Sequence, residues 1–409
     1  MNNPDRRLIL PSSMNQAISR RRMIRSAALG ALGIAGGASF LAACGSDDDE
    51  SSDGTSGGST PGSAAGSTPE SSTAGSSAAP NGDAKKVHFV YVGPPDDNGW
   101  TQTHDDARKA AEAALGGKVV TAFTPNIGFD ANTTALFEQL VADGNDMIIA
   151  NTEYAALMTG VADANPQVKF LECDGHHFTE NMFGYYMAHA ETAYLMGIAA
   201  GMLAPTGKIS YIGAFPTATL YNDVNGLLLG ARTVNPEATV QTVLVNTFFD
   251  PQKAAQASDA LLSSGTEFLF GVMDEPTFLQ KAEEAGVWTG YWNLDFREAA
   301  PTKYVNNYDL SNWEPFYTEQ FQALVDGTWK AQTDTVLLDC PLGEWGPEVP
   351  QDVKDAVAAA AEKLASGELT VYSGPLTDNT GKEVLAAGDT IDRQGTYSVN
   401  FAVEGVDGV

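Results

Sequence analysis

The sequence predicts an α/β fold of two doubly wound lobes, each built on a parallel sheet, and three observations support this. From residue 86 onward, short apolar runs alternate with amphipathic stretches of helix length, and strands separated by helices form right-handed βαβ units. One unit also occurs twice. Asp130 leads into ANTTALFEQLVADG, which ends on Gly144, and Asp250-Pro251 leads into QKAAQASDALLSSG, which ends on Gly265. An N-capping Asp, a Pro at the first helical position and a terminal Gly are start and stop signals. Thirdly, each unit runs into an acidic residue and an apolar strand, Asp146 with 147–149 and Glu267 with 268–270. Two similar lobes follow, with a seam near Pro205, Thr206 and Gly207.

The elements read in order. The first strand, 87–92, stops at Gly93-Pro94-Pro95, which cannot be helical, and the Asp96, Asp97, Asn98 cluster marks the entry to a helix at 100–115. Further apolar runs predict strands at 119–123, 146–150, 168–173, 208–212, 240–245, 267–272 and 289–293. Helical periodicity between them predicts helices at 130–143, 154–164, 191–203, 221–234, 251–264 and 277–285. The last stretch, 376–409, reads as a short β-rich tail with turns at 379–381 and 388–389.

The start of the chain reads as a targeting segment, with an uncleaved N-terminal anchor as the alternative. Ser19-Arg20-Arg21-Arg22-Met23 is a twin-arginine pattern, residues 26–40 form a short run of small apolar residues, and Leu41-Ala42-Ala43-Cys44 follows. That order is similar to a bacterial twin-arginine lipoprotein signal occupying 1–43, with Cys44 the lipidated first residue. Residues 45–83 lack any aromatic and are mostly Ser, Gly, Thr, Pro, Ala and Asp, so 44–85 is expected to be an unstructured tether.

Charge narrows the partners. Residues 1–43 contain six Arg and one Asp, so without them the formal charge moves from −29 to −34. Such a body is a poor partner for nucleic acid or anionic lipid. Only Arg108, Arg232, Arg297 and Arg393 follow Cys44, which limits bidentate recognition of phosphate or carboxylate. A neutral, donor-bearing small molecule is the better expectation.

In open α/β sheets ligands collect at the carboxyl ends of strands, which is where Asp97, Asn98 and Trp100 fall. An indole at that mouth beside carboxylates and an amide suits a flat molecule with a polar edge. Equally, Trp100 packs under its own helix while the Asp residues only cap it. The chain contains no Gly-rich phosphate loop, Gly-x-Ser-x-Gly elbow, His-Glu-x-x-His helix or Cys-x-x-Cys pair, so no catalytic residue and no cofactor is assigned. His176-His177 matches no standard zinc spacing, and a solvated loop explains it. Cys173 and Cys340 are expected as buried free thiols.

VYVGPPDDNGWTQTHDDARKAAEAALG, DMIIANTEY, ENMFGYYMAHAETAYLMGIAAGMLAPTGKISYIGAFP and VNTFFDPQKAAQASDALLSSGTEFLFGVMD together resemble the basic membrane protein family of substrate-binding lipoproteins of ABC importers, in its purine-binding branch. The resemblance runs from about residue 86 to 375. It implies the type I periplasmic-binding fold, two lobes joined by three crossing strands. One lobe would be 86–205 with a returning segment near 306–340, and the other 206–305 with a returning segment near 341–375. It also implies a ligand held between the lobes, with Trp100 stacking on one face of a base and Tyr154 covering the other face or donating its hydroxyl. Glu153, where relatives have a small or hydroxyl residue, would accept from an exocyclic amine. Tyr221, Asn222 and Asp223 would face the cleft from the second lobe, together with Asp274, Trp292, Asn293 and Asp295. Each Asp carries the alternative of a helix cap.

The reading is therefore a monomeric, extracytoplasmic receptor, lipid-anchored to the outer face of the bacterial cell membrane, that delivers a purine base or nucleoside to a permease. A sugar receptor of the same fold and a surface nucleoside hydrolase are the rivals.

Overall fold

The computed structural model describes residues 84–409; the signal segment, Cys44 and the tether to residue 83 lie outside the described residues. The chain first lays down β1 (Lys85–Val90), β2 (Val119–Thr124), β3 (Met147–Ala150), β4 (Lys169–Cys173) and β5 (Met182–Met187), with α1 (Trp100–Ala114), α2 (Ala131–Ala142) and α3 (Ala155–Ala164) between the first four. It then repeats the scheme with α4 (His189–Leu203), β6 (Lys208–Gly213), α5 (Ala218–Arg232), β7 (Thr239–Leu244), α6 (Pro251–Ser263), β8 (Phe268–Gly271), α7 (Thr277–Ala285), β9 (Trp288–Tyr291) and β10 (Tyr304–Asn307).

The chain returns through α8 (Trp313–Asp326), β11 (Val336–Leu338) and α9 (Gln351–Ser366). It finishes with the short strands β12 (Tyr372–Ser373), β13 (Leu376–Thr377), β14 (Glu383–Leu385) and β15 (Thr390–Ile391), then α10 (Arg393–Thr396) and β16 (Val406–Asp407).

Two six-stranded sheets result, ordered β11-β5-β4-β3-β1-β2 and β10-β9-β8-β6-β7-β16. Every pairing within them is parallel. The order 5-4-3-1-2 in one matches 10-9-8-6-7 in the other, so the sequence repeat is also a topological one. Its caps form as the residues dictate. The Asp130 carboxylate accepts from the Asn132 N–H at 2.8 Å and Asp250 from the Lys253 N–H at 3.0 Å. Gly144 and Gly265 close the helices at φ 77° and 88°, which glycine adopts without strain. The core strands MIIA and FLFG are buried throughout, as parallel strands covered on both faces must be.

The boundaries differ from expectation in three places. The tether ends sooner, since β1 begins at Lys85. The seam near 205–207 is a turn within the second lobe: Gly197, Gly226 and Gly230 let α4 lie against α5, and a Cβ on Gly230 would run into the Tyr194 carbonyl. The chain therefore changes lobes earlier, at Ala188, whose N–H donates to the Leu338 carbonyl at 2.9 Å. It changes again at 308–312 and 339–346. These segments are bonded to one another, Asp309 N–H to the Pro341 carbonyl at 2.8 Å and Gly343 N–H to the Asn307 carbonyl at 2.9 Å. Finally, the tail is part of the second lobe, because β16 pairs with β7 as its edge strand.

Candidate functional site between the lobes

The carboxyl end of β1 faces the carboxyl ends of β8 and β9, and the contacts across this seam begin with α1. Asp97 is committed to building that helix. One of its oxygens accepts from Gly99 N–H at 2.9 Å and Gln102 N–H at 3.0 Å, and the other from Thr101 N–H at 2.9 Å. Of the two readings for this residue the cap prevails, because three orphan donors of a helix N-terminus outbid a solvent-facing role. Asn98 is exposed in a left-handed conformation at φ 54°, which Asn tolerates.

Asp274, following β8, reaches across to the same helix end and accepts the Trp100 N–H at 3.3 Å. The approach is so close that a Cβ on Gly99 would collide with its carboxyl. Burial between the lobes pushes the Asp274 carboxyl up to about 8. The charges of Asp97 and Glu275 add to the rise, and the Trp100 N–H opposes it.

Trp100 is neither a free wall nor tucked beneath α1. Its Nε1 donates to the Asn151 carbonyl at 2.7 Å, and its ring lies almost parallel to Trp292 of the other lobe, 14° apart with centroids at 5.8 Å. His104 and Trp313 meet it edge-on, and Tyr186 leans on it at 6.2 Å. Burial holds the His104 imidazole neutral, its pKa lowered to about 3, so this wall is uncharged. Trp292 is fixed by its own Nε1, which donates to the Met273 carbonyl at 3.0 Å. A planar ligand between two rings needs about 7 Å, twice a carbon contact distance, so admitting one requires the lobes to part.

Asn293 is 1 % exposed, and neither its amide oxygen nor its nitrogen has a protein partner. It lines a cavity of about 570 Å³ with Thr103 and Asp106 of α1, Asp295, Asn307 and Asp309. Asp295 is held by Arg297, whose Nε lies 2.7 Å from it and which also bonds Glu344. Neither indole lines this cavity; Asn293, next in sequence to Trp292, is where it comes nearest the pair along the chain.

Other expected site residues serve elsewhere. Tyr154 is 1 % exposed and belongs to the core on the far face of the first sheet, stacked on Phe129 at 4.8 Å with its hydroxyl donating to the Ile127 carbonyl at 2.6 Å. It immediately precedes α3, and its side chain swings back under the 127–129 loop, so it covers no ligand. Glu153 is partly buried, and its charge adds to the burial that pushes the neighbouring Glu172 carboxyl up. Asn222 is spent on the C-terminal segment, donating to the Thr396 carbonyl at 2.9 Å and accepting from the Tyr372 hydroxyl at 2.9 Å. Tyr221 beside it is only partly buried.

Asp223 is fully buried and accepts from the Tyr211 hydroxyl at 2.7 Å. Its second oxygen lies 3.6 Å from His189 Nδ1. His189 stacks on Tyr186 at 5.3 Å, which places this polar nook directly behind the aromatic wall. Tyr186 and His189 were missed by sequence reasoning; the only signal was the FGYYMAH motif, whose strand β5 carries no polar alternation.

The profile of the Bmp family, ABC transporter substrate-binding protein PnrA-like, matches residues 84–300. The chain belongs to the Bmp family. A purine-binding protein of Brucella abortus is 34 % identical over 79 % of this chain and 93 % of its own length. A putative ABC transporter glucose-binding protein of Haloferax volcanii is 32 % identical over 80 % of this chain and 81 % of its own. Solved ABC transporter solute-binding proteins from Conexibacter woesei and Aeropyrum pernix share the fold. Their TM-scores are 0.59 and 0.61 at 22 % and 16 % identity, covering 70 % and 69 % of this chain and 98 % and 92 % of theirs.

The Bmp family consists of solute-binding proteins of ABC transporters, so a small-molecule ligand and a permease partner come with membership. Among the described residues no helix is long and apolar enough to cross a membrane, and no cluster of His, Cys, Asp and Glu is placed to hold a metal. His176 instead stacks on Tyr397 at 4.3 Å. Cys173 and Cys340 are both buried and free.

Proposed function

We propose that this Bmp-family protein captures a purine base, adenine-like in its donor pattern, or a related nucleoside between its lobes and hands it to the permease. Anchored through lipid on Cys44, it would work as a monomer at the outer face of the cell membrane. The observation that carries the reading is the pair of near-parallel indoles, Trp100 and Trp292, on opposite lobes. Parted by an ångström or two, they offer both faces of a planar heterocycle a π surface, worth about 0.5–1.5 kcal/mol per stacked pair beyond the area buried. The rim supports the same ligand. The Asn293 amide has both a donor and an acceptor to spare, as an N6/N7 edge requires, and Asp274, freed from the Trp100 N–H and ionised once the lobes part, would accept from a ring or exocyclic N–H. The similarity to a purine-binding protein agrees with this reading.

Glucose is the second reading. Its support is the similarity to the Haloferax volcanii protein and the cavity lined by Asp106, Asn293, Asp295, Asn307 and Asp309. Calorimetric titration with adenine, adenosine and glucose separates the two. The purine reading expects adenine or adenosine to bind at micromolar Kd or tighter, and Trp100→Ala to weaken binding by roughly 2 kcal/mol, about thirtyfold. Binding of glucose alone would replace purine with sugar. Release of free base from adenosine would make the protein a hydrolase.

A further inference from the structure

The C-terminal segment is anchored in one lobe and gripped by the other. Its anchorage in the second lobe is extensive. Beyond the β16–β7 pairing, Asn225 donates to the Phe401 carbonyl at 2.8 Å and accepts from the Val403 N–H at 2.8 Å. Asn222 holds the Thr396 carbonyl, and Arg232 holds the Glu404 carbonyl at 2.6 Å.

Its grip on the first lobe is narrow. The Tyr397 hydroxyl donates to the Asp174 carboxylate at 2.6 Å, just past the carboxyl end of β4, and its ring stacks on His176 at 27°. Gln394 Nε2 donates to the Thr335 carbonyl at 3.2 Å and reaches Asp334 at 3.5 Å, next to β11, while Arg393 pairs with Asp339 of a crossing segment and with Glu191 of α4. Tyr397 is 6 % exposed, so these contacts are enclosed. Its ring also leans on Tyr186 at 5.4 Å, the residue that leans on Trp100.

We infer that residues 393–397 form a strap across the mouth between the lobes, and that Tyr397 is a positioning residue which couples lobe opening to the aromatic wall. A rigid-body opening about the three crossing segments, as hinged proteins undergo, separates Asp174 and His176 from a Tyr397 that stays with the second lobe. A hydroxyl-to-carboxylate bond is of the stronger, charge-assisted kind, and it reforms only when the lobes close. The strap therefore favours the closed arrangement and slows ligand release. It needs the interlobe reading of the site but not the identity of the ligand.

Hydrogen exchange on the full-length protein, with no ligand added, tests it. Exchange of the Trp100 N–H reports parting directly, because that group donates to Asp274 of the opposite lobe. Tyr397→Phe removes only the hydroxyl. It is expected to speed exchange on the order of tenfold at Trp100 and in the 174–178 loop, while leaving β3 and β8 unchanged. Tyr397→Ala, which also removes the stack, is expected to do more at the same amides. Faster exchange confined to 390–409 and α5 in both variants would overturn the strap and reduce Tyr397 to packing. So would a Tyr397→Phe protein that behaves as wild type. Because no ligand is used, either result leaves the purine reading to its own titration.

Discussion

At the scale of single residues, Asp274 carries the most consequence, since a carboxyl from one lobe rests on the helix end of the other. With its pKa raised to about 8, the closed arrangement binds a proton that an opened, solvated Asp274 gives up near the ordinary value of about 3.9. The sign follows from linkage. Between about 4 and 8 the closed form holds more protons than the open one, so closure weakens as pH rises through that window and levels off above it. Exchange of the Trp100 N–H should accordingly accelerate, beyond its intrinsic base-catalysed rise, from pH 5 to 8. Asp274→Asn should remove that excess, and an unchanged pH profile in the variant would exclude Asp274 as its source. Asp97 and Asp274 also illustrate why carboxylates in a strand-to-helix turn are ambiguous in sequence. Both stand three residues ahead of a helix, at Trp100 and Thr277, yet the first caps its own helix and the second reaches that same first helix from the other lobe.

At the scale of elements, α5 explains most of what the site reading misplaced. Sequence periodicity began this helix at 221, which puts Tyr221, Asn222 and Asp223 at its cleft-facing mouth. It starts at Ala218, capped by Thr217, whose hydroxyl oxygen accepts the Leu220 N–H at 3.3 Å. That earlier start turns Asn222 toward the C-terminal segment and Asp223 into the interior. Thr217, a good N-cap residue, was the legible signal. The pairing of α4 with α5 was not legible, because spaced glycines in one helix say nothing about which partner they admit. Gly230→Ala should force the two helices apart and cost about 1–3 kcal/mol, the usual price of overpacking a tight contact, measured as a lowered midpoint in thermal unfolding.

At the scale of the whole molecule, the second lobe is completed by the last residues of the chain. β16 supplies the edge strand beside β7, and the Asn225 amide, which also reaches the Tyr372 hydroxyl at 3.3 Å, bonds Phe401 and Val403. Truncation after Asn400 should therefore bare the β7 edge and strip the buried Asn225 amide oxygen of the Val403 N–H, which costs about 1–3 kcal/mol. The expected loss is several degrees in Tm, with faster exchange in β7 and α5 but not in β3. Equal destabilisation of both sheets would mean that the lobes unfold as one unit. The same bonds make the tail a natural carrier for Tyr397.

Local order in this chain was written in local residues. The repeated Asp-helix-Gly-strand unit, the apolar strands and the Trp at the end of β1 each follow from interactions within a dozen positions, so composition and periodicity sufficed to call for two parallel-sheet lobes. Strand β5 escaped because a strand buried on both faces has no polar alternation to display. What lay across the seam could only be decided by folding. The facing of Trp292 toward Trp100, the reach of Asp274 to α1 and the strap at Tyr397 join residues some 170 to 220 positions apart. Their geometry is set by how the two lobes meet, and no local pattern encodes it.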